Sequence, residues 1–486
     1  MSPIARKPEL WQAFLPIAFL ILALFVNVLV FQDQGLNGSN QMILILATAV
    51  ASLIALRLGV KWKALREGMV QSISSAVPAI LILLLIGSLS GTWLVSGIVP
   101  AMIYYGLQIL HPSIFLVAAC LICAVVSLAS GSSWTTVATV GIALMGIGKA
   151  LGMHEGWVAG AIISGAYFGD KISPLSDTTN LAPAVSGTDI FTHIRYLLIT
   201  TVPSFLLTLF IFLLMGFWAS QERQVVDVEA IAQVIDSKFY ISVELFLVPA
   251  VLLFMILKGV APIPALLIAT LLGAVFAALF QPDVLKEIAN VKLDFAHLNE
   301  HYASFSYVGL MKAISGSVSL STGNPLVDSL LSSRGMAGML NTIWLIICAM
   351  AFGGVMERSG LLSKITEAII SKVRSNTQLV TSTAATSIFL NLTASDQYLS
   401  IVVPGRMFAQ GFQKRGLAPE NLSRTLEDAG TVTSVLVPWN TCGATQAGVL
   451  HISTLAYAPY CFFNWISPIM TVLVAYLGIW IRKADD

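Results

Sequence analysis

The sequence predicts an all-α integral membrane protein, and three observations carry that prediction. Hydrophobic residues make up 57% of the 486-residue chain and charged residues only 10%, against roughly 25% charge in a soluble globular protein. Mean hydropathy is +0.85. From Gly68 to Gly148 there is no Asp, Glu, Lys or Arg, a stretch of about 80 residues that suffices for about three to four crossings at ~20 residues each. Finally, other apolar runs are broken by short polar segments. Irregular polar backbone within a bilayer is tolerated only where protein buries it or it lines a watery cavity. The same ~20-residue rule gives about ten to thirteen transmembrane and half helices in all.

Clear spans are Trp11–Phe31, Met42–Leu56, Tyr196–Ala219, Phe246–Leu257, Ile263–Phe280, Ile343–Met356 and Phe462–Ile481. The first is long, contains Pro16 and lacks a small-x-small cleavage site before Gln32, so an uncleaved helix is expected rather than a signal peptide. Lys and Arg set the orientation. Arg6 and Lys7 place the N-terminus inside. The loop Gln32 to Asn40 has Asp33 and no Lys or Arg, so it lies outside. Arg57, Lys61, Lys63 and Arg66 lie inside, as do Arg482 and Lys483. A net charge of +1 and the absence of a basic stripe argue against a nucleic-acid partner.

A charged linker, residues 220–239, divides the chain into a first half, 1–219, and a second, 240–486. Ser220–Lys238 holds Glu222, Asp227, Glu229 and Asp236 against Arg223 and Lys238, which suits an outside loop. Each half shows the same order of features. In the first, Ser130 to Thr136 interrupts an apolar run, and the segment Asp170 to Asn180 follows. In the second, Asn391 to Gln397 does so, followed by Glu427 to Thr433 and Val437 to Gly443. A half that runs from inside to outside and one that runs back have opposite orientations. That is the arithmetic of an inverted repeat, which in secondary transporters sets the site near the midplane at broken helices.

The most informative stretch is Gly169-Asp170-Lys171-Ile172-Ser173-Pro174-Leu175-Ser176-Asp177-Thr178-Thr179-Asn180. It concentrates carboxylates, hydroxyls and an amide around a proline, between apolar segments. A charged side chain at the bilayer centre costs roughly 2.5–3.5 kcal/mol on insertion scales. Ahead of it Gly156, Gly160, Gly165 and Gly169 form a small-residue stripe suited to close helix packing. Cys120 and Cys123 sit in an apolar run and read as packing residues. His297, Glu300 and His301 match a zinc-peptidase spacing, but within the charged connector Pro282–Tyr302, where a solvated turn is expected. His111, His154, His193 and His451 stand alone and read as loop or interface residues.

The motif from Gly169 to Ala182 resembles the signature of NhaC-type sodium/proton antiporters, and Ser130–Thr136 and Val437-Pro438-Trp439-Asn440-Thr441-Cys442-Gly443 are similar to the same family. The likeness extends over nearly the whole chain in length and element order. It implies a multi-pass secondary transporter of the prokaryotic inner membrane, of the wider ion-transporter architecture. It further implies a dimerising scaffold, hence a homodimer, and a site-bearing part of re-entrant hairpins and broken helices. The family also holds a malate/lactate antiporter and amino-acid carriers, so a small organic acid or amino acid is an alternative substrate.

Sodium is a hard cation and takes oxygen ligands. Candidate ligands in the first half are Asp177, Thr178, Thr179 and Asn180, unwound after Pro174, with Asp170 and the hydroxyls of Ser132, Ser133 and Thr135. The second half offers Asn391, Thr393 and Asp396, with Asn440 and Thr441. Asp177 and Asp396 are the carboxylates expected at the sodium ion, near the midplane. The competing account makes these residues caps of half-helices. Asp170 and Lys171 either pair with other charges at the membrane surface or form a proton site; Glu427 and Asp428 pose the same choice, with capping of a helix start as the structural account; and Arg406 would neutralise Asp396 or attract a carboxylate. Desolvation favours a neutral carboxylic acid and a nearby cation favours its anion, so a buried Asp holds a proton or helps bind sodium, not both. No prosthetic group or nucleotide is required; no G-x-x-x-x-G-K-[ST] loop occurs.

Overall fold

Helix boundaries follow the breakers read in the sequence. In the computed structural model, which describes residues 6–31, 38–221, 228–289, 302–370 and 373–484, prolines occupy the first turn of Pro112–Ser130, Pro262–Phe280 and Pro419–Leu426. A first-turn proline gives up no helical hydrogen bond. Left-handed glycines such as Gly131 and Gly187 close helices, as the C-terminal cap requires. The only strands among the described residues are the two-residue pair Val318–Ser319 and Ser332–Ser333, so the fold is all-α.

Seven helices among the described residues are long and apolar enough to cross a membrane, or nine if each of two bent pairs is one span. The expected spans fall on Leu10–Phe31, Ser39–Arg57, Ile190–Gln221, Leu247–Leu257, Pro262–Phe280, Leu340–Arg358 and Phe462–Leu477. The charge-free stretch supplies Val77–Val95, Ile98–Ile109 and Pro112–Ser130, then a shorter run from Ser133 to Ala150. His297, Glu300, His301, Asp33, and the linker residues Glu222, Arg223 and Asp227 lie outside the described residues.

The two halves carry the same succession of elements at one register. Pro112–Ser130, left-handed Gly131 and the run Ser133–Ala150 answer to Asn376–Thr393, left-handed Ser395 and Leu399–Lys414. Glu155–Ile172, the break at Pro174 and Asp177–Ser186 answer to the run Pro419–Leu436, the break at Pro438 and Thr441–Leu450. Counterparts stand 264 residues apart, the separation of Pro174 and Pro438. Each of the first-named segments folds back on itself. His111 and Leu151, at the ends of the first, line one cavity. Arg415 Nη1 donates to Asn376 Oδ1 across the ends of the second, at 3.4 Å.

The glycine stripe packs as its composition predicts, on two faces. A Cβ on Gly165 would stand 2.0 Å from the Cys120 carbonyl oxygen, and one on Gly169 2.3 Å from that of Ala124. On the other face, Gly156 and Gly160 meet the carbonyls of Ala456 and Tyr460. Glu155–Ile172 is thereby clamped between Pro112–Ser130 and the last helices of the second half. Cys120 and Cys123 are fully buried in this contact.

Candidate functional site

In the first half, helix Glu155–Ile172 delivers Asp170 to the tip of the hairpin. Its Oδ2 accepts from the Ser133 amide at 3.0 Å and from Ser133 Oγ at 2.6 Å. Those donors open the helical run Ser133–Thr136, whose N-cap is Ser132; Ser132 Oγ accepts from the Thr135 amide and hydroxyl at 3.2 and 3.1 Å. A carboxylate there meets the positive end of a helix dipole. Gly131 is left-handed with φ 66°, and a Cβ on it would lie 2.6 Å from the Leu175 carbonyl carbon. The tip thus presses directly on the break of Glu155–Ser186.

That break is closed largely by its own side chains. Thr179 Oγ1 donates to the carbonyls of Asp170 and Lys171 at 3.1 and 3.0 Å. Asn180 Nδ2 donates to the carbonyls of Pro174 and Ser176 at 2.9 and 2.7 Å. Thr178 lies 3.2 Å from Ser176 Oγ, and Ser176 caps the half-helix that starts at Asp177. Asp177 itself is exposed, contrary to its expected burial. It stands first in its half-helix, where the chain has just left the break and its side chain projects away from the packed turn.

The second half gathers its candidates more tightly. Asn391 Nδ2 donates to the Gly430 carbonyl at 2.6 Å and to Thr433 Oγ1 at 3.0 Å. Asn440 Nδ2 donates to the Asn391 carbonyl at 3.1 Å, while Asn440 Oδ1 accepts from the Cys442 amide at 3.0 Å. The Thr441 amide donates to the Ser395 carbonyl at 3.0 Å. Asp396 Oδ1 accepts from the Leu399 amide at 2.9 Å, and Thr393 Oγ1 bonds the Phe389 carbonyl within its own helix. Ser395 is a fully buried non-glycine residue at φ 59°, a conformation that costs of order 1–3 kcal/mol and clusters at functional sites. Tyr398, just beyond, is exposed, and the helix Leu399–Lys414 that follows packs on Asp177–Ser186, so the two halves face each other here.

Three expectations are corrected. Lys171 does not sit at the surface. It is fully buried and forms an ion pair with Asp428, also fully buried. Lys171 Nζ further donates to Ser467 Oγ at 2.8 Å, and Asp428 Oδ2 accepts from Thr200 Oγ1 at 2.8 Å. Glu427 and Asp428 cap nothing; they follow Pro419–Leu426 without interruption and begin the π-helical turn Glu427–Thr431. Arg406 forms no ion pair among the described residues, and Asp396 relies on backbone amides instead. Sequence reasoning missed Tyr398 and this Lys171–Asp428 cluster as a unit. The signal for the cluster was a cation at the end of the apolar helix Glu155–Ile172 and an acid pair that continues the polar helix Pro419–Leu426.

A cavity of about 330 Å³ reaches the second break at Pro438 and Ala444, and Glu155, Arg334 and His451 also line it. It also touches Asn341, whose carbonyl accepts from Gln41 at the start of Ser39–Arg57. By the distribution of Lys and Arg, that end of the helix faces outside.

Broken helices whose capping side chains and carboxylates meet at two hairpin tips define a multi-pass membrane transporter. The model of the Na+/H+ antiporter family matches residues 165–479, and the chain belongs to that family. It is 37% identical to the Na(+)/H(+) antiporter NhaC of Alkalihalophilus pseudofirmus, over 98% of both chains. It is 35% identical to the malate-2H(+)/Na(+)-lactate antiporter of Bacillus subtilis, over 98% of this chain and 97% of that one. It is 34% identical to the arginine/ornithine antiporter ArcD of Halobacterium salinarum, over 97% and 93%.

Proposed function

We propose that this protein exchanges sodium for protons across a prokaryotic inner membrane, with its two halves acting as an inverted repeat. The observation that carries the reading is that each hairpin tip meets a buried carboxylate, Asp170 at the first and Asp396 at the second. Each is a carboxylate held at the tip of a folded-back hairpin by a backbone amide of the returning strand of helix. Oxygen ligands and a negative charge are what a desolvated sodium ion requires. The constant register of the halves, the odd number of crossings expected in each and the antiporter relatives support the same reading.

In this mechanism sodium and protons compete for the carboxylates at the tips. The cavity that reaches Pro438 leads from the outside toward the second break. Rocking of the hairpins and broken helices against the remaining spans would open Asp177 and the first break to the other side. Protonation removes the charge that offsets the cost of stripping sodium of water. The test is sodium uptake into proteoliposomes driven by an imposed pH gradient. Uptake that ignores the gradient would remove the reading.

A second reading, exchange of a small organic acid together with sodium or protons, is favoured by one observation. Arg334 lines the outer cavity and forms no ion pair among the described residues. Uptake of L-malate or L-lactate by the same vesicles, with and without sodium, separates the two.

A further inference from the structure

Glu427 is the group that the sodium-binding tips leave unused. It is fully buried, and neither carboxylate oxygen has a hydrogen-bond partner among the described residues. The Thr431 hydroxyl, one turn on, is nearby and equally without a partner. A buried carboxyl group is carried either as an ion paired with a cation and donors, or as the neutral acid. Its neighbour Asp428 takes the first course, with Lys171, Ser467 and Thr200. That uses the cation which Glu427 would need.

Pro419–Leu426, which runs into the Glu427 turn, carries Glu420 and Arg424, and Ile190–Gln221, which packs on that helix, carries His193 and Arg195. The helices Asn376–Thr393 and Phe462–Leu477 that pack against its turn carry no Asp, Glu, Lys, Arg or His. Leu399–Lys414 brings Arg406 and Lys414, and Asp177–Ser186 brings Asp177. Arg424, on the preceding turn, is stacked over the Tyr196 ring at 4.6 Å. Lys171 and Asp428 form the ion pair beside Glu427, and Asp170 precedes Lys171 on the same helix. The backbone here is π-helical, a local widening found mostly at functional sites.

We infer that Glu427 carries the transported proton, at a place separate from the sodium ligands. Asp170 and Lys171 are consecutive at the end of one helix. Asp170 holds the first hairpin tip, and Lys171 holds the neighbour of Glu427. A shift of that helix end on sodium binding at the tip therefore changes the distance from Lys171 to Glu427. Approach of the ammonium favours the anion and releases the proton; retreat favours its return. One turn of helix thus links the two cargoes without their sharing a ligand. The inference rests on the sodium/proton exchange proposed above and moves the transported proton from the tip carboxylates to Glu427.

The experiment measures protons released when sodium is added to purified protein in lightly buffered detergent, alongside sodium binding by calorimetry. The wild type is expected to bind sodium and release protons. Glu427→Gln is expected to bind sodium within about threefold of wild type and to release none. Glu427→Asp, which keeps a carboxyl group, is expected to release protons over a displaced pH range. Equal release from Glu427→Gln and wild type would overturn the inference. So would loss of sodium binding in Glu427→Gln as a folded protein, which would make Glu427 a ligand or a packing residue. If Glu427→Gln does not fold, an unchanged pH profile in Glu427→Asp overturns it. No sodium binding by the wild type defeats the sodium/proton reading instead. Proton release on adding L-malate is then read in the same variants, with the same two outcomes deciding Glu427.

Discussion

Lys171 and Asp428 meet as an ion pair with neither side chain exposed, and they join helix Glu155–Ile172 of the first half to the turn Glu427–Thr431 of the second. The pair is a fastener between halves, tied further by Ser467 and Thr200. Removing one partner leaves a buried charge uncompensated, which costs about 3–5 kcal/mol. Lys171→Met and Asp428→Leu are each expected to lower the melting temperature of the purified protein sharply. The double variant is expected to recover most of the loss, because two apolar side chains replace the pair. Additive losses in the double variant would mean that the pair is not the unit of stability.

Asp396 separates capping from ion binding. Asn caps a helix as well as Asp does, whereas Ala in place of a cap costs about 1 kcal/mol. Asp396→Asn is expected to keep its bond to the Leu399 amide and wild-type stability, with sodium affinity reduced at least about tenfold because the charge is gone. Asp396→Ala is expected to lose both. Wild-type sodium affinity in Asp396→Asn, measured by calorimetry, would return this residue to a capping role.

Gly165 has no room for a methyl group, since a Cβ would stand 2.0 Å from the Cys120 carbonyl oxygen. Either Gly165→Ala pushes two helices apart or the protein loses its packing. Overpacking of this kind costs about 1–3 kcal/mol. The expected result is a lower yield of monodisperse protein and a reduced melting temperature. Gly187→Ala serves as a control for backbone strain alone, because Gly187 is left-handed with open space around it.

His451 sets a pH prediction in the connector after Thr441–Leu450, where it lines the outer cavity. Burial first, then the charges of Arg334 and Lys149, push its pKa down from the ordinary value to about 4. The unfolded chain takes up this proton near the ordinary 6.5, so the folded state binds fewer protons between the two values. The contribution is complete above about 6.5 and is lost as pH falls toward about 4. The melting temperature is therefore expected to fall across that window, and to fall less steeply in His451→Gln. Parallel pH profiles for the two proteins would show that His451 does not titrate there.

The long apolar spans were legible because the bilayer imposes a length and excludes charge. Thus Trp11–Phe31 and Ile263–Phe280 coincide with their helices almost to the residue. The polar breaks were legible because Pro174, Pro438 and Gly131 stand among hydroxyl and amide side chains that can satisfy freed backbone, whereas Pro16 and Pro203 lie within apolar runs and stay helical. Even the parallel order of breaks in the two halves could be read, since it is a matter of residue type along the chain.

What only the tertiary structure decided is which charged groups meet. Lys171 and Asp428 are 257 residues apart, and no local pattern announces their contact. Asp177 looked like the buried carboxylate of its motif, yet one turn of half-helix exposes it and gives Asp170 the contact with Ser133. Capping a helix start was one account of Glu427, because acidic residues favour that place; it lies instead within a continuous helical run, buried and without a hydrogen-bond partner among the described residues. Sequence determines where polarity is concentrated, through the cost of placing it in lipid. The packing of helices from distant parts of the chain decides which of those groups is solvated, which is neutralised by a partner and which is left with neither.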